Sequence, residues 1–138
     1  AHRGRVARDV IVLDTHALLW WMLDPDKLSP EALRRLDTME KSGGVASSIS
    51  IWELAIKVKR GKLRLPVGVE ELTRRLEQTA VVELVPVDVP IWLRSVALDW
   101  EHRDPADRVI AATALVRGLP LLSKDKELRG CPDLTCIW

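Results

Sequence analysis

Apolar positions along the chain fall into short unbroken runs that alternate with stretches of helical period. "DVIVLD", residues 9 to 14, is a β-branched run closed by an aspartate. Its continuity predicts a strand buried on both faces. "THALLWWML" follows with helix-forming residues and stops at Asp24-Pro25. In "SPEALRRLDTMEKSGG", Ser29 stands at an N-cap, Pro30 at the first helical position and Gly43-Gly44 as terminator, which predicts a helix. "VAS", 45 to 47, predicts a short strand. "SISIWELAIKVKRGK" predicts a helix whose Ile51, Leu54, Ile56 and Val58 line a face, ending near Gly61. "VGVEELTRRLEQT" reads as an amphipathic helix, "AVVELVPV" as a strand and "DVPIWLRSVALDW" as a helix with an early proline. "DPADRVIAATALVRG" predicts a helix with Gly118 at its C′ position. "LPLLS" is a further strand, "KDKELRG" one or two helical turns and "LTCIW" the last strand.

Strands alternating with helices predict an α/β fold, with a central, mostly parallel sheet of four to five strands and helices on both faces. Right-handed crossovers send the C-terminal ends of such strands to one edge, and ligands bind there. The 138 residues suit a single domain, with the basic start "AHRGRVAR", 1 to 8, expected as a disordered tail. No run is long enough for a membrane span, and the start has no apolar stretch of signal-peptide length. Cys131 and Cys136 in "CPDLTC" have neither redox nor zinc spacing and read as free thiols of a reducing cytoplasm. A net charge of +1 provides no bulk attraction for nucleic acid, although a local patch still can.

Five acids fall at the predicted edge. Asp14 ends the first strand, Glu53 lies early in the helix after "VAS", Asp104 and Asp107 open the helix that feeds "LPLLS", and Asp125 follows that strand. Each has a local explanation. Asp14 can cap the next helix, Ser50 and Glu53 fit an S-x-x-E capping box, and Asp125 can serve a turn. Asp104 precedes a proline, which favours the extended backbone of an N-cap, and Asp107 then sits at N3 near the positive end of the helix dipole. Their joint placement, with little basic company, is what capping leaves unexplained. Carboxylates about 4 Å apart repel by about 4 kcal/mol at an effective dielectric of about 20. Either their pKa values rise or a divalent cation neutralises them. Oxygen donors without His or Cys favour Mg²⁺ or Mn²⁺. Such a site activates water and stabilises phosphate oxygens, which suggests phosphodiester hydrolysis. We expect Asp104 mainly to cap, through the amides of Ala106 and Asp107, and Asp107 to bind metal.

The ordered set "VIVLDTHALLWW", "ASSISIWELAIK", "HRDPADRVIAATAL" and "LLSKD" resembles the PIN domain, and within it the VapC-type toxins of toxin–antitoxin pairs. The resemblance covers the chain from about Asp9 to Trp138 and implies a three-layer α/β/α metal-dependent ribonuclease. By the same resemblance, Asp14, Glu53, Asp107 and Asp125 form the metal-binding quartet, and Asp104 belongs to a subgroup with an H-x-D-P-x-D pattern. Ser123 matches the hydroxyl found near the last aspartate, and Thr15 is a supporting residue. The implied partners are RNA, a cognate VapB-type antitoxin and a second copy in a homodimer, with no membrane.

Other residues keep two readings. Lys57, Lys59, Arg60 and Lys62 in "KVKRGKLR" either compensate a helix C-terminus or contact RNA phosphates. His102 is a surface residue or a group supporting the acids, and His16 is a helix-surface or partly buried residue. Trp20 and Trp21 cannot both face one side, so one is core, and Trp52 is expected in the core rather than as a platform for bases. Three further readings stand beside the toxin: a PIN nuclease of RNA processing or DNA cleavage, a receiver or phosphatase, and a non-catalytic module of the same fold. "DTH" after the first strand argues against receivers and phosphatases, which carry a second acid there.

Overall fold

β1 (Ile11–Leu13) lies in the middle of the sheet because its three residues are wholly apolar and none has any exposed surface. A computed structural model describes residues 9–138, so the expected tail over 1–8 lies outside the described residues. β2 (Gly44–Ser47) and β4 (Leu121–Leu122) pair with β1 on either side. β3 (Val82–Val85) and β5 (Cys136–Ile137) form the edges. The order is β3-β2-β1-β4-β5 and every pairing is parallel, so the sheet is wholly parallel, with five strands.

Alternation along β1 builds two cores. Ile11 and Leu13 face one layer with Leu18, Leu36 and Met39, while Val12 faces the other with Ile91, Val109 and Ile110. The first layer contains α1 (Thr15–Leu23) and α2 (Pro30–Ser42). The second contains α5 (Val89–Ala97) and α6 (Pro105–Arg117). In α6 seven residues from Ala106 to Ala114 are buried, and four of them are alanines, which lets this helix sit close to the sheet. α3 (Ser48–Lys59), α4 (Val69–Thr79) and the single turn α7 (Lys126–Arg129) are the other α-helices among the described residues, and a 3-10 turn spans Pro25–Lys27.

Ser29 accepts from the amide of Ala32 and caps α2, as its sequence predicts. Gly118 closes α6 at φ 66°, a conformation that favours glycine. Gly44 departs from the expected terminator role. Gly43 alone ends α2, and Gly44 begins β2 under Met39, whose sulfur would collide with a Cβ there. β4 and β5 are shorter than expected, two residues each, because only these pair.

Candidate active site

Parallel strands aligned from one end place Asp14, Ser47 and Ser123 at a common edge, each just inside or beyond the end of its strand. Asp14 is 4% exposed. One carboxylate oxygen accepts from the amide of Ala17 at 2.8 Å and caps α1, and the other accepts from the Ser123 hydroxyl. Burial pushes its pKa up to about 6. The bonds from Ser123 and Ala17 oppose that rise, and the charges of Asp125 and Glu53 add to it. Ser123 also accepts from the amide of Asp125 at 3.0 Å, so one buried hydroxyl joins two of the acids.

Glu53 projects from α3 towards Thr15, whose hydroxyl donates to it at 2.6 Å and lies 2.8 Å from Ser50 Oγ. Its other oxygen is 3.3 Å from Lys57 Nζ. Asp125 caps α7 through the amides of Glu127 and Leu128 at 2.7 and 3.4 Å. Asp104 caps α6 by accepting from Asp107 N at 3.0 Å, the conformation that Pro105 favours. Asp107 points elsewhere, to His102 Nε2 at 2.7 Å. Burial pushes the Asp107 pKa up to about 6. The His102 bond opposes this, and the charges of Asp104, Asp125 and Glu53 add to it. For His102 burial pulls downward, but the bond and charge of Asp107, with Glu127 and Asp104, leave it raised.

Four sequence expectations change, and one open reading is decided. The capping serine of α3 is Ser47, not Ser50. Ser50 lies within the helix, wholly buried on Thr15, so there is no capping box with Glu53. The acids have basic company, since Lys57 pairs with Glu53 and Lys124 lines a hollow of about 140 Å³ with Asp14, His16, Trp20 and Asp125. His102, read either as a surface residue or as a group supporting the acids, lies in contact with Asp107, because the turn from residue 102 into α6 brings it back over that carboxylate. The H-x-D-P-x-D order was its signal. The Asp104 cap engages the amide of Asp107 and not that of Ala106. Trp52 is 54% exposed and lines a surface groove beside Pro105 instead of joining the core. Trp20 and Trp21 are both partly buried against the α1–α2 core.

The basic stretch divides. Arg60, Lys62 and Lys57 line a groove of about 310 Å³ with Trp52, Glu53 and Asp104, and Lys59 is exposed to solvent. A larger hollow, about 500 Å³, lies at the opposite edge around Val10, Gly44 and Val82 and holds no acidic cluster.

The residues fit a hard cation by the chemistry of their donors. Among the described residues neither Asp14 nor Asp107 pairs with a lysine or arginine. Both are dehydrated carboxylates under the influence of further negative charges, a situation that a bound cation relieves. The acids share a neighbourhood without closing into a cage, as no three potential ligands converge among the described residues.

This is a parallel α/β domain with carboxylates at the C-terminal edge of its sheet. A family model described as PIN domain matches residues 11–133, and the chain belongs to that family. It is 31% identical over 131 residues to Ribonuclease VapC22 of Mycobacterium tuberculosis, covering 93% of this chain and 98% of that one. Its fold is similar to that in the crystal structure of VapBC2 from Rickettsia felis bound to a promoter DNA fragment (TM-score 0.67, 16% identity, 92% and 96% of the two chains). It is similar also to FitAcB from Neisseria gonorrhoeae (TM-score 0.63, 24% identity, 91% and 95%). Among the described residues no helix is long and apolar enough to cross a membrane.

Proposed function

We propose that this chain is a metal-dependent endoribonuclease, the toxin of a type II toxin–antitoxin pair, acting in the cytoplasm. The observation that carries the reading is the pair of dehydrated carboxylates Asp14 and Asp107 at the sheet edge of a PIN domain. The 31% identity to a ribonuclease supports RNA as substrate. Asp14, Glu53, Asp107 and Asp125 would hold Mg²⁺ or Mn²⁺, since all are oxygen donors. When bound, the cation supplies an activated water and positive charge for phosphate oxygens.

The chain's own residues arrange the acids for this. Ala17 and Ser123 hold both oxygens of Asp14, Thr15 directs Glu53, and Ser123 ties the backbone of Asp125 to Asp14. Asp104 caps the helix that carries Asp107. RNA cleavage is expected to stop in excess chelator and return when Mg²⁺ or Mn²⁺ is restored; cleavage that persists in chelator overturns the reading. In the same assay, binding measured against salt tests the basic stretch. Arg60 and Lys62 share the groove with Glu53, whereas Lys57 spends its charge partly on Glu53 and Lys59 is peripheral. Replacing Arg60 and Lys62 with Ala should lower the salt slope by about 0.7 per lost single-strand contact. An unchanged slope leaves these residues as helix-end charges.

The VapBC complex among the similar structures supports a VapB-type antitoxin as partner. A short reading frame directly upstream that relieves growth arrest on co-expression would check it. A second copy is the other partner. On α5, Val89, Trp92, Leu93 and Val96 are 66, 47, 65 and 80% exposed, while Ile91 and Ser95 face the core. A helix apolar on opposite faces belongs inside an interface. Leu93→Glu, changing a side chain that touches no core, should convert a dimer to a monomer in sedimentation without lowering the melting temperature. A variant that stays dimeric assigns this face to another partner.

A further inference from the structure

Arg108 follows Asp107 on α6, and among the described residues its guanidinium forms no ion pair. It is spent instead on main-chain carbonyls. Nε donates to Ser95 O at 2.8 Å, Nη2 to Leu98 O at 2.7 Å, and Nη1 to Trp100 O at 2.6 Å and His102 O at 2.9 Å. The guanidinium also lies 5.8 Å from the centroid of the Trp100 ring.

These carbonyls belong to the end of α5 and to the connection that leads into α6. That connection has no helix or strand pairing of its own; Leu98 O also accepts from the amide of Trp100 at 3.0 Å, but the carbonyls of Trp100 and His102 need another donor. The planar fork of Arg108 meets three carbonyls of the connection and that of Ser95 in α5 at once, which a single ammonium on a flexible stem cannot reproduce. The far end of the gripped segment is His102. Its ring packs on Trp100 at 4.9 Å and directs Nε2 to Asp107 Oδ2 at 2.7 Å, with Nδ1 3.8 Å from Glu127. Without that contact, the Asp107 carboxylate would have no side-chain partner among the described residues and could rotate in the first turn of α6.

We infer that Arg108 is a positioning residue: by gripping the carbonyls of residues 95, 98, 100 and 102, it places His102 on Asp107 and holds that carboxylate in one orientation at the sheet edge. The kinetic part of this inference rests on the ribonuclease reading. The structural part does not.

The test uses the full chain with Arg108→Lys, His102→Gln and the double variant. Each single change is expected to lower kcat tenfold or more with KM within about twofold. The double variant should be no slower than the slower single one, because both changes remove the same constraint. In Arg108→Lys the His102 imidazole NMR signal should move to that of a solvent-exposed histidine, and amide exchange over residues 99–104 should accelerate. Losses that multiply in the double variant, a His102→Gln enzyme that cuts at full rate, or an unmoved His102 signal would each overturn the inference. Should Arg108→Lys fail to fold, Trp100→Leu takes its place, since that ring touches both Arg108 and His102. Its loss must likewise fail to multiply with that of His102→Gln. A wild-type protein that cuts no RNA sinks the nuclease reading while leaving the NMR result decisive for the positioning role.

Discussion

Asp107→Asn is expected to abolish RNA cleavage and leave the melting temperature unchanged or higher. Asparagine keeps the size of the side chain and an oxygen for His102. It removes a charge that burial, together with Asp104, Asp125 and Glu53, makes unfavourable. Asp104→Ala should do the opposite. It deletes the acceptor for the Asp107 amide and so costs about 0.5–2 kcal/mol of stability, but it leaves measurable activity. Melting and RNA cleavage measured on both variants separate the roles. A stable, inactive Asp104→Ala beside an active Asp107→Asn would reverse them.

Asp14→Asn is expected to raise the melting temperature in chelator at neutral pH while ending cleavage. The folded-state pKa is raised from 3.8 to about 6, so the folded protein binds more protons than the unfolded chain between those values. Stability from this group is therefore present near pH 4 and is lost as pH rises through about 6. The displacement corresponds to roughly 3 kcal/mol, an upper bound because asparagine mimics the protonated carboxyl imperfectly. Asp107 acts in the same direction over the same window. Metal-free wild type should accordingly melt higher at pH 5 than at pH 7, and Asp14→Asn should show a smaller difference. Asp125→Asn should move melting far less, as Asp125 is only half-buried and asparagine can keep its cap on α7. A lower melting temperature for Asp14→Asn at pH 7 in chelator would make Asp14 a structural anchor instead.

Much of this was legible in the chain. The unbroken "IVL" implies a central strand, Ser29-Pro30 and Asp104-Pro105 mark helix starts, and Gly118 marks a helix end. All of these act within a few residues, where backbone sterics and capping bonds are decided. The acids of the candidate site could be placed because strand ends in a parallel sheet share an edge. Their partners could not be assigned in this way. Three serines in the four residues 47 to 50 offer competing caps, and only the docking of α3 beside Thr15 buries Ser50 and leaves Ser47 at the N-cap. Trp52 and Leu54 are both apolar, yet one is exposed and the other buried, because packing against α1 and α4 sets which side of α3 turns inward. The Ser123 hydroxyl reaches Asp14 across 109 residues, a bond that depends on the pairing of β1 with β4. Local pattern thus determined the elements, the edge and its acids, whereas burial, register and the path of the 98–104 connection determined which acids are dehydrated, which hydroxyls and amides they engage and which one a histidine holds.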